Sequence, residues 1–104
     1  MGLQKSITMD TGIELPEAYI KIVSCEYVVD SNAIIKVNIY KDYSAYQDGL
    51  KEVATFNHNC IGDFNNYFGI DVLNTENINI ISQGYEWLKT LDLYKDAVDY
   101  PTIK

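Results

Sequence analysis

The segment from residue 77 to residue 100 constrains this chain most, because it has a clear helical period. Ile78, Ile81, Tyr85 and Leu88 recur at i, i+3, i+7 and i+10, and polar side chains occupy the opposite side. A stripe at this spacing is typical of an amphipathic helix. We therefore predict a helix over residues 76–91, whose packing face includes Ile81, Tyr85 and Leu88. A second, adjoining apolar stripe is formed by Ile80, Trp87 and Leu91.

The residues around this helix predict how it begins and ends. The side chain of Thr75 or Asn77 can accept a hydrogen bond from a first-turn amide. Gly84 lies between the two apolar stripes, where glycine costs about 1 kcal/mol relative to alanine. Either a close approach to a sheet compensates for this cost, or the glycine is simply tolerated. After the helix, residues 96–100 are expected to be extended.

The chain before the helix has the pattern of strands and turns. Alternating or continuous apolar runs predict strands at residues 3–9, 18–29, 33–41, 52–60 and 67–73. Asp10-Thr11-Gly12 is a turn signal, Pro16 is expected to stop a short strand, and residues 30–32 are expected to close a hairpin.

Two of these strands have informative faces. In residues 18–29, Ile20 and Ile22 lie on one side and Tyr19, Val23, Cys25, Tyr27 and Val29 on the other, which predicts a strand covered on both faces. In residues 52–60, one face carries Ala54, Phe56, His58 and Cys60.

This order of elements predicts the fold class. We expect a single α+β domain over residues 1–104: a small antiparallel β-sandwich or sheet, with one C-terminal amphipathic helix packed on it. The helix is needed because a pair of strands alone is only marginally stable in water.

The charge of the chain excludes some partners. Its net charge is −7, and its cations are eight lysines and no arginine. Nucleic acids and anionic membrane surfaces attract clustered cations, so neither is expected as a partner. The first ten residues lack the apolar stretch of a signal peptide, so we expect synthesis in the cytoplasm.

Asp10-Thr11-Gly12 is also the triplet found at the catalytic aspartate of aspartic peptidases. The retroviral-type enzymes of this class are about the size of this chain, and they dimerise to bring two such carboxylates together. Here Ile13-Glu14 follows the triplet, where that family has a small residue. A hairpin turn is the favoured interpretation, and a peptidase is a distant alternative.

His58 and Cys60 point to the same side of one predicted strand, and Cys25 lies on another. A metal site would need further ligands at suitable spacing, and a thiol nucleophile would need a base and an orienting group. We therefore expect a buried cysteine beside a half-buried histidine, with no catalytic, metal or cofactor site. Whether Cys25 and Cys60 form a disulfide stays open.

Tyrosine is unusually frequent, with nine in the chain. Tyr40, Tyr43, Tyr46 and Asp48 lie in or beside one polar segment, residues 41–51, which is predicted to be a loop or a helical turn. Such rings can stack on sugars or anchor a protein interface. The alternative is that they pack the segment onto the edge of the sheet.

Three segments resemble small proteins encoded in the tail and baseplate regions of phages and prophages of Gram-positive bacteria. The opening resembles theirs at Ile7–Ile13 and Ala18–Ile22, and Val37–Asp42 is similar to their central strand. Gln83–Leu91 and the Ala97-Val98-Asp99 that follows resemble their ending, except that Gly84 and Trp87 stand where alanine and tyrosine are usual.

The resemblance implies a virion-associated or tail-region structural protein without enzymatic activity. Some relatives are similar to the shoulder domain of phage receptor-binding proteins, a β-sandwich with a helix. Docking to other tail or baseplate proteins, or self-association, is the expected function. A carbohydrate-binding adhesion module that uses the tyrosine-rich loop is the alternative.

Overall fold

The computed structural model describes residues 2–28, 31–74 and 79–100. The strands are β1 (Gly2–Thr8), β2 (Glu14–Val28), β3 (Asn32–Tyr40), β4 (Ala54–Cys60) and β5 (Val98–Tyr100). The helical segments are α1 (Tyr43–Gln47), α2 (Phe64–Phe68), α3 (Ile70–Leu73) and α4 (Ile80–Leu88).

The strands form one five-stranded antiparallel sheet in the order β4-β3-β2-β1-β5. The predicted α+β class is therefore confirmed. Of the two arrangements considered, the structure has the single sheet, with helices rather than a second sheet over its apolar face. The core is centred on β2 and β3, where Ile20, Ile35, Val37 and Ile39 are fully buried.

The turn between β1 and β2 is formed by the Asp10-Thr11-Gly12 signal. The Gly12 amide donates to the Met9 carbonyl at 2.8 Å, and the Met9 amide donates to the Ile13 carbonyl at 2.7 Å. Gly12 has a φ of 87°, a conformation that glycine adopts without steric cost.

Pro16 does not stop a strand, because β2 runs through it from Glu14 to Val28. Lys5 pairs with Ala18 whereas Ile7 pairs with Leu15, so β2 has one extra residue at this point. A bulge leaves a residue outside the ladder, which is why proline is tolerated there.

A second bulge in β2 explains its apolar pattern. Ile22 pairs with Val37 and Ser24 pairs with Lys36, which leaves Val23 as the extra residue. Since each extra residue reverses the alternation, Cys25 and Tyr27 point to the same face as Ile22 and pack against the core. The predicted assignment of Cys25 and Tyr27 to the opposite face was therefore wrong, because simple alternation does not continue past a bulge.

Helix α4 lies on the apolar face of the sheet. Tyr85 and Leu88 are buried at 1% and 0% exposure, and Trp87 is buried as well. The prediction for Ile81 was wrong, since its side chain is 40% exposed. The helix is also shorter than predicted, and its buried side chains Tyr85, Trp87 and Leu88 all lie in its second half.

The helix begins later than the sequence suggested. Its N-cap is Asn79, whose side chain accepts a hydrogen bond from the Ser82 amide at 2.8 Å. The predicted caps, Thr75 and Asn77, lie outside the described residues. The helix ends at Leu88 rather than at residue 91, and turns lead from there to β5, which forms within the segment predicted to be extended.

Residues 67–73 do not form the predicted strand. Tyr67 and Phe68 end α2, Gly69 is its C-cap, and Ile70–Leu73 form α3. Phe64 and Phe68 are both buried and lie four residues apart, which places them on the same side of a helix. The alternation of Phe68, Ile70 and Val72 suggested a strand, but burial of the two phenylalanines on one side is satisfied by a helix.

Two contacts fix α4 on β2. A Cβ atom added to Gly84 would lie 2.9 Å from Cδ1 of Ile22, so the glycine allows the helix backbone to approach the sheet closely. Beside it, the Ile22 amide donates a buried hydrogen bond of 2.9 Å to the Tyr85 hydroxyl. Of the two interpretations of Gly84, close approach is the one the structure has.

We expect Leu88→Ala to lower the free energy of unfolding by about 2–5 kcal/mol, because it removes a fully buried side chain and leaves a cavity. The control is Ile81→Ala, which should change it by about 0.5 kcal/mol or less since Ile81 is exposed. Urea denaturation followed by circular dichroism measures both. Equal losses in the two variants would contradict the packing of α4.

We expect Tyr85→Phe to cost about 1–3 kcal/mol, because it leaves the buried Ile22 amide without the hydroxyl acceptor. The same denaturation experiment applies. Tyr67→Phe is a suitable control, since Tyr67 lies on α2 and is only partly buried. A Tyr85→Phe protein as stable as wild type would show that this bond is not needed.

Candidate functional site

The predicted tyrosine loop forms a packed aromatic cluster. α1 is capped by Asp42, whose carboxylate accepts from the Ala45 amide at 2.7 Å. The helix places the rings of Tyr43 and Tyr46 each 5.0 Å from that of Tyr19 on β2. Because side chains alternate along a strand, Tyr19 points away from the face that carries Ile20 and α4. β2 is therefore covered on both faces at this point.

The remaining predicted site residues lie around this cluster. Tyr40 is 5.1 Å from Tyr46, ring to ring, and Lys21 Nζ lies 5.7 Å from the centre of the Tyr46 ring. Burial raises the pKa of Tyr19 well above its ordinary value, because the phenolate form would lose its hydration. Asp48 is exposed at the C-terminal end of α1. These tyrosines attach α1 to the sheet, as the packing alternative describes.

A polar cleft of about 250 Å³ opens beside the cluster. The ring of Tyr43 meets that of Tyr100 edge to face at 5.2 Å. The lining residues, which come from β1, β2, α1 with its N-cap and β5, are Gln4, Glu17, Asp42, Tyr43, Ser44, Gln47 and Tyr100. Of the four residues predicted for binding, only Tyr43 lines this cleft.

His58 has a defined partner on the other side of the sheet. Its Nε2 lies 2.7 Å from the Tyr94 hydroxyl, and the two rings meet edge to face. Burial lowers the pKa of the His58 imidazole and raises that of Tyr94. The pair is therefore a neutral hydrogen bond that connects β4 to the turns after α4.

Both cysteines are free thiols. Burial raises the pKa of Cys25, and it raises that of Cys60 to about 11 with smaller contributions from Asp63 and Cys25. A thiol needs to ionise to act as a nucleophile or a metal ligand. Neither cysteine is activated in this environment, and the described residues contain no group of three or more His, Cys, Asp or Glu side chains placed to hold a metal ion.

An apolar cleft of about 450 Å³ lies at the tip of the β1–β2 hairpin. Its apolar lining residues are Ile7, Met9, Ile13, Val53, Phe56 and Leu93, and its polar lining residues are Thr8, Asp10 and Thr11. Ile13 and Val53 are 54% and 44% exposed, which is unusual for large aliphatic side chains grouped together.

The sheet topology explains why this cleft exists. β3 ends at Tyr40, opposite Tyr19, whereas the β1–β2 hairpin continues to the pair Thr8–Glu14. The hairpin tip therefore extends past β3, and among the described residues no strand pairs with residues 14–18 of β2 on the side of β3. Lys5 Nζ donates to the Leu93 carbonyl at 3.1 Å, which holds the turns after α4 against the same edge.

Sequence reasoning did not identify either cleft. Gln4, Glu17 and Tyr100 gave no signal, because they come together only through the pairing of β1 with β2 and β5. The apolar cleft did have a partial signal. Ile13 directly follows the Asp10-Thr11-Gly12 turn, and a large aliphatic residue at a hairpin tip is expected to be exposed.

Comparison with known proteins leaves the family of this chain open. No protein-family model matches it, and neither does any curated protein or solved structure. Separately, no helix among residues 2–28, 31–74 and 79–100 is long and apolar enough to cross a membrane.

We expect His58 to make the stability depend on pH. Its pKa is lower in the folded protein than the ordinary value of about 6.5 in the unfolded chain. The stabilisation by neutral His58 is therefore complete above the ordinary pKa and is lost as the pH falls through it. Between roughly pH 7 and pH 5, wild type should lose more unfolding free energy than His58→Gln.

Carboxylates titrate in the same range, but they are common to both proteins and cancel in the difference. Urea denaturation at a series of pH values measures it. Parallel curves for wild type and His58→Gln would contradict the buried neutral state of His58.

Proposed function

We propose that this chain is a non-enzymatic structural module of a phage tail or baseplate, which acts by docking to other proteins of the particle. In this proposal the protein is made in the host cytoplasm and incorporated into the virion. The resemblance of the segments Ile7–Ile13, Val37–Asp42 and Gln83–Leu91 to small tail-region proteins supports the assignment.

The apolar cleft at the hairpin tip is the observation that carries the docking part of the proposal. Exposed aliphatic groups that line a cleft are typical of surfaces that bind an apolar side chain of a partner. The lining of the cleft includes Asp10, and the whole chain has a net charge of −7. A partner that inserts an aliphatic or aromatic residue flanked by lysine or arginine fits this surface best.

The state of the reactive side chains is consistent with a function other than catalysis. The thiols of Cys60 and Cys25 have raised pKa values, and the imidazole of His58 is hydrogen-bonded to the Tyr94 hydroxyl. Enzyme sites instead usually shift a pKa towards the working pH.

We expect mass spectrometry of purified particles, from a host that carries the gene with its neighbours, to detect the protein. Ile13→Asp should reduce its incorporation severalfold, because a carboxylate in the cleft wall is desolvated when a partner docks. Leu50→Asp is the matched control: Leu50 is 58% exposed and lies outside the cleft, so incorporation should be unchanged.

Absence of the wild-type protein from the particles would overturn the proposed function. Equal incorporation of Ile13→Asp and Leu50→Asp would leave a tail protein that docks through another surface.

The polar cleft favours carbohydrate binding as a second candidate. It combines tyrosine edges with carboxylate, amide and hydroxyl groups, which is the chemistry that binds sugar hydroxyls. Cell-wall polysaccharide should then bind wild type and Asp48→Ala equally, and Gln47→Ala more weakly, since Gln47 lines the cleft and Asp48 does not. Absence of polysaccharide binding by the wild-type protein would remove this candidate.

A further inference from the structure

Strand β4 forms one edge of the sheet. It pairs with β3 along its whole length, from Ala54 opposite Ile39 to Cys60 opposite Ala33. Among the residues that the structure describes, no strand pairs with the other side of β4. Because hydrogen-bonding groups point alternately to the two sides of a strand, half of its N–H and C=O groups face outward from the sheet.

This edge lacks two features by which proteins usually prevent edge-to-edge association. These features are charged side chains and prolines along the strand. Residues 53–61, VATFNHNCI, contain no lysine, arginine, aspartate, glutamate or proline, in a chain whose net charge is −7. The opposite edge of the sheet differs. There β5 pairs with Gly2–Gln4 of β1, and the next residue of β1 is the charged Lys5. β4 therefore carries none of the charged side chains that would repel a second copy of the chain.

The strand is also self-complementary about its central residue. When two copies run antiparallel with Asn57 opposite Asn57, each side chain faces one of matching chemistry. The other pairs are Thr55 with Asn59, Phe56 with His58, and Ala54 with Cys60. Cross-strand pairs of aromatic residues, or of hydroxyl and amide groups, stabilise an antiparallel ladder.

This register also aligns the two faces of the sheets. The side chains of Thr55, Asn57 and Asn59 are exposed, whereas Phe56 and His58 are partly buried on the core side. A shift by one residue would place exposed groups opposite core-side groups. With Asn57 on the axis, both core faces lie on the same side of the joined sheet.

The same register gives exposed apolar groups a partner. Ile61, immediately after β4, is 63% exposed, and Val53, immediately before it, is 44% exposed. Ile61 of one copy comes opposite Val53 of the other, at the wall of the apolar cleft. Two symmetric aliphatic contacts therefore close the ends of the paired strands.

We propose that β4 pairs antiparallel with β4 of a second copy of this chain, with Asn57 on the two-fold axis, and joins two five-stranded sheets into one. This second copy is a partner in addition to the basic partner proposed above for the apolar cleft. The proposal rests on that function only in treating the exposed apolar surface as an interface. The interface is isologous, so it closes at a dimer.

The first test is Asn57→Lys, which places two lysines directly opposite each other at the axis. Analytical ultracentrifugation should show a dimer for wild type and a dimer affinity lower by about tenfold or more for the variant. Asn66→Lys is the matched control, because Asn66 is also exposed but lies on α2. Circular dichroism checks that both variants are folded.

The second test reads the register. Cα atoms of facing residues in an antiparallel pair are about 4.5–5.5 Å apart, which suits a disulfide. Under mild oxidation Asn57→Cys should form a covalent dimer, whereas Thr55→Cys should not, because its partner is Asn59. The double variant Thr55→Cys with Asn59→Cys should crosslink again. Native Cys60 is buried and Cys25 is only partly exposed, and wild type provides the background.

A wild-type protein that stays monomeric at millimolar concentration would overturn the proposal. So would equal dimer affinities of Asn57→Lys and Asn66→Lys, or crosslinking of Thr55→Cys as efficient as that of Asn57→Cys. A monomer found in purified particles would refute the dimer and leave the tail function standing. A dimer absent from particles would refute the tail function alone.

Discussion

The contact between α4 and β2 is the constraint on which the rest of the structure depends. Gly84 allows the helix backbone to approach Ile22, and the hydroxyl of Tyr85 accepts a hydrogen bond from the Ile22 amide. Ile22 adjoins the second bulge of β2, where the regular ladder is interrupted. The helix thus covers the core and also satisfies a polar group of the strand beneath it. With α4 in this position, the side chain of Leu88 is buried against the apolar face of the sheet. The turns after α4 contact β4 through the hydrogen bond between Tyr94 and His58.

The bulges in β2 connect this packing to the surfaces proposed for function. The first lies at Pro16, in the part of β2 that continues with β1 past the end of β3. That extension leaves the apolar cleft at the hairpin tip. The second restores Cys25 and Tyr27 to the core side, so the far half of β2 packs against α2 through Tyr27 and Phe64. β3 and β4 pair without a bulge, and β4 forms the edge of this regular part of the sheet. Because β4 carries no charged side chain, association with a second copy is proposed there.

Much of the fold follows from the sequence alone. The pairing of β2 with β3 and the hairpin turn at Gly12 depend on neighbouring residues, and both are present in the structure. The helix is present too, but it begins later than the predicted residue 76, because Asn79 is its N-cap. One failure occurred where an apolar run fits two periods, and others occurred at the bulges of β2. Residues 67–73 alternate like a strand, yet Phe64 and Phe68 lie on one side of a helix, and burial against the sheet decides between them.

The sequence by itself therefore determined the class of the fold, the main hairpin and the amphipathic helix, since periodicity and turn residues are local properties. It also determined that β4 is uncharged. Only the tertiary structure decided that Ile81 is exposed and that the tyrosines of α1 pack on Tyr19. It also decided that two bulges reverse the alternation of side chains along β2. The physical reason is that a side chain's exposure depends on what lies opposite it, and residues far apart in the chain supply that surface.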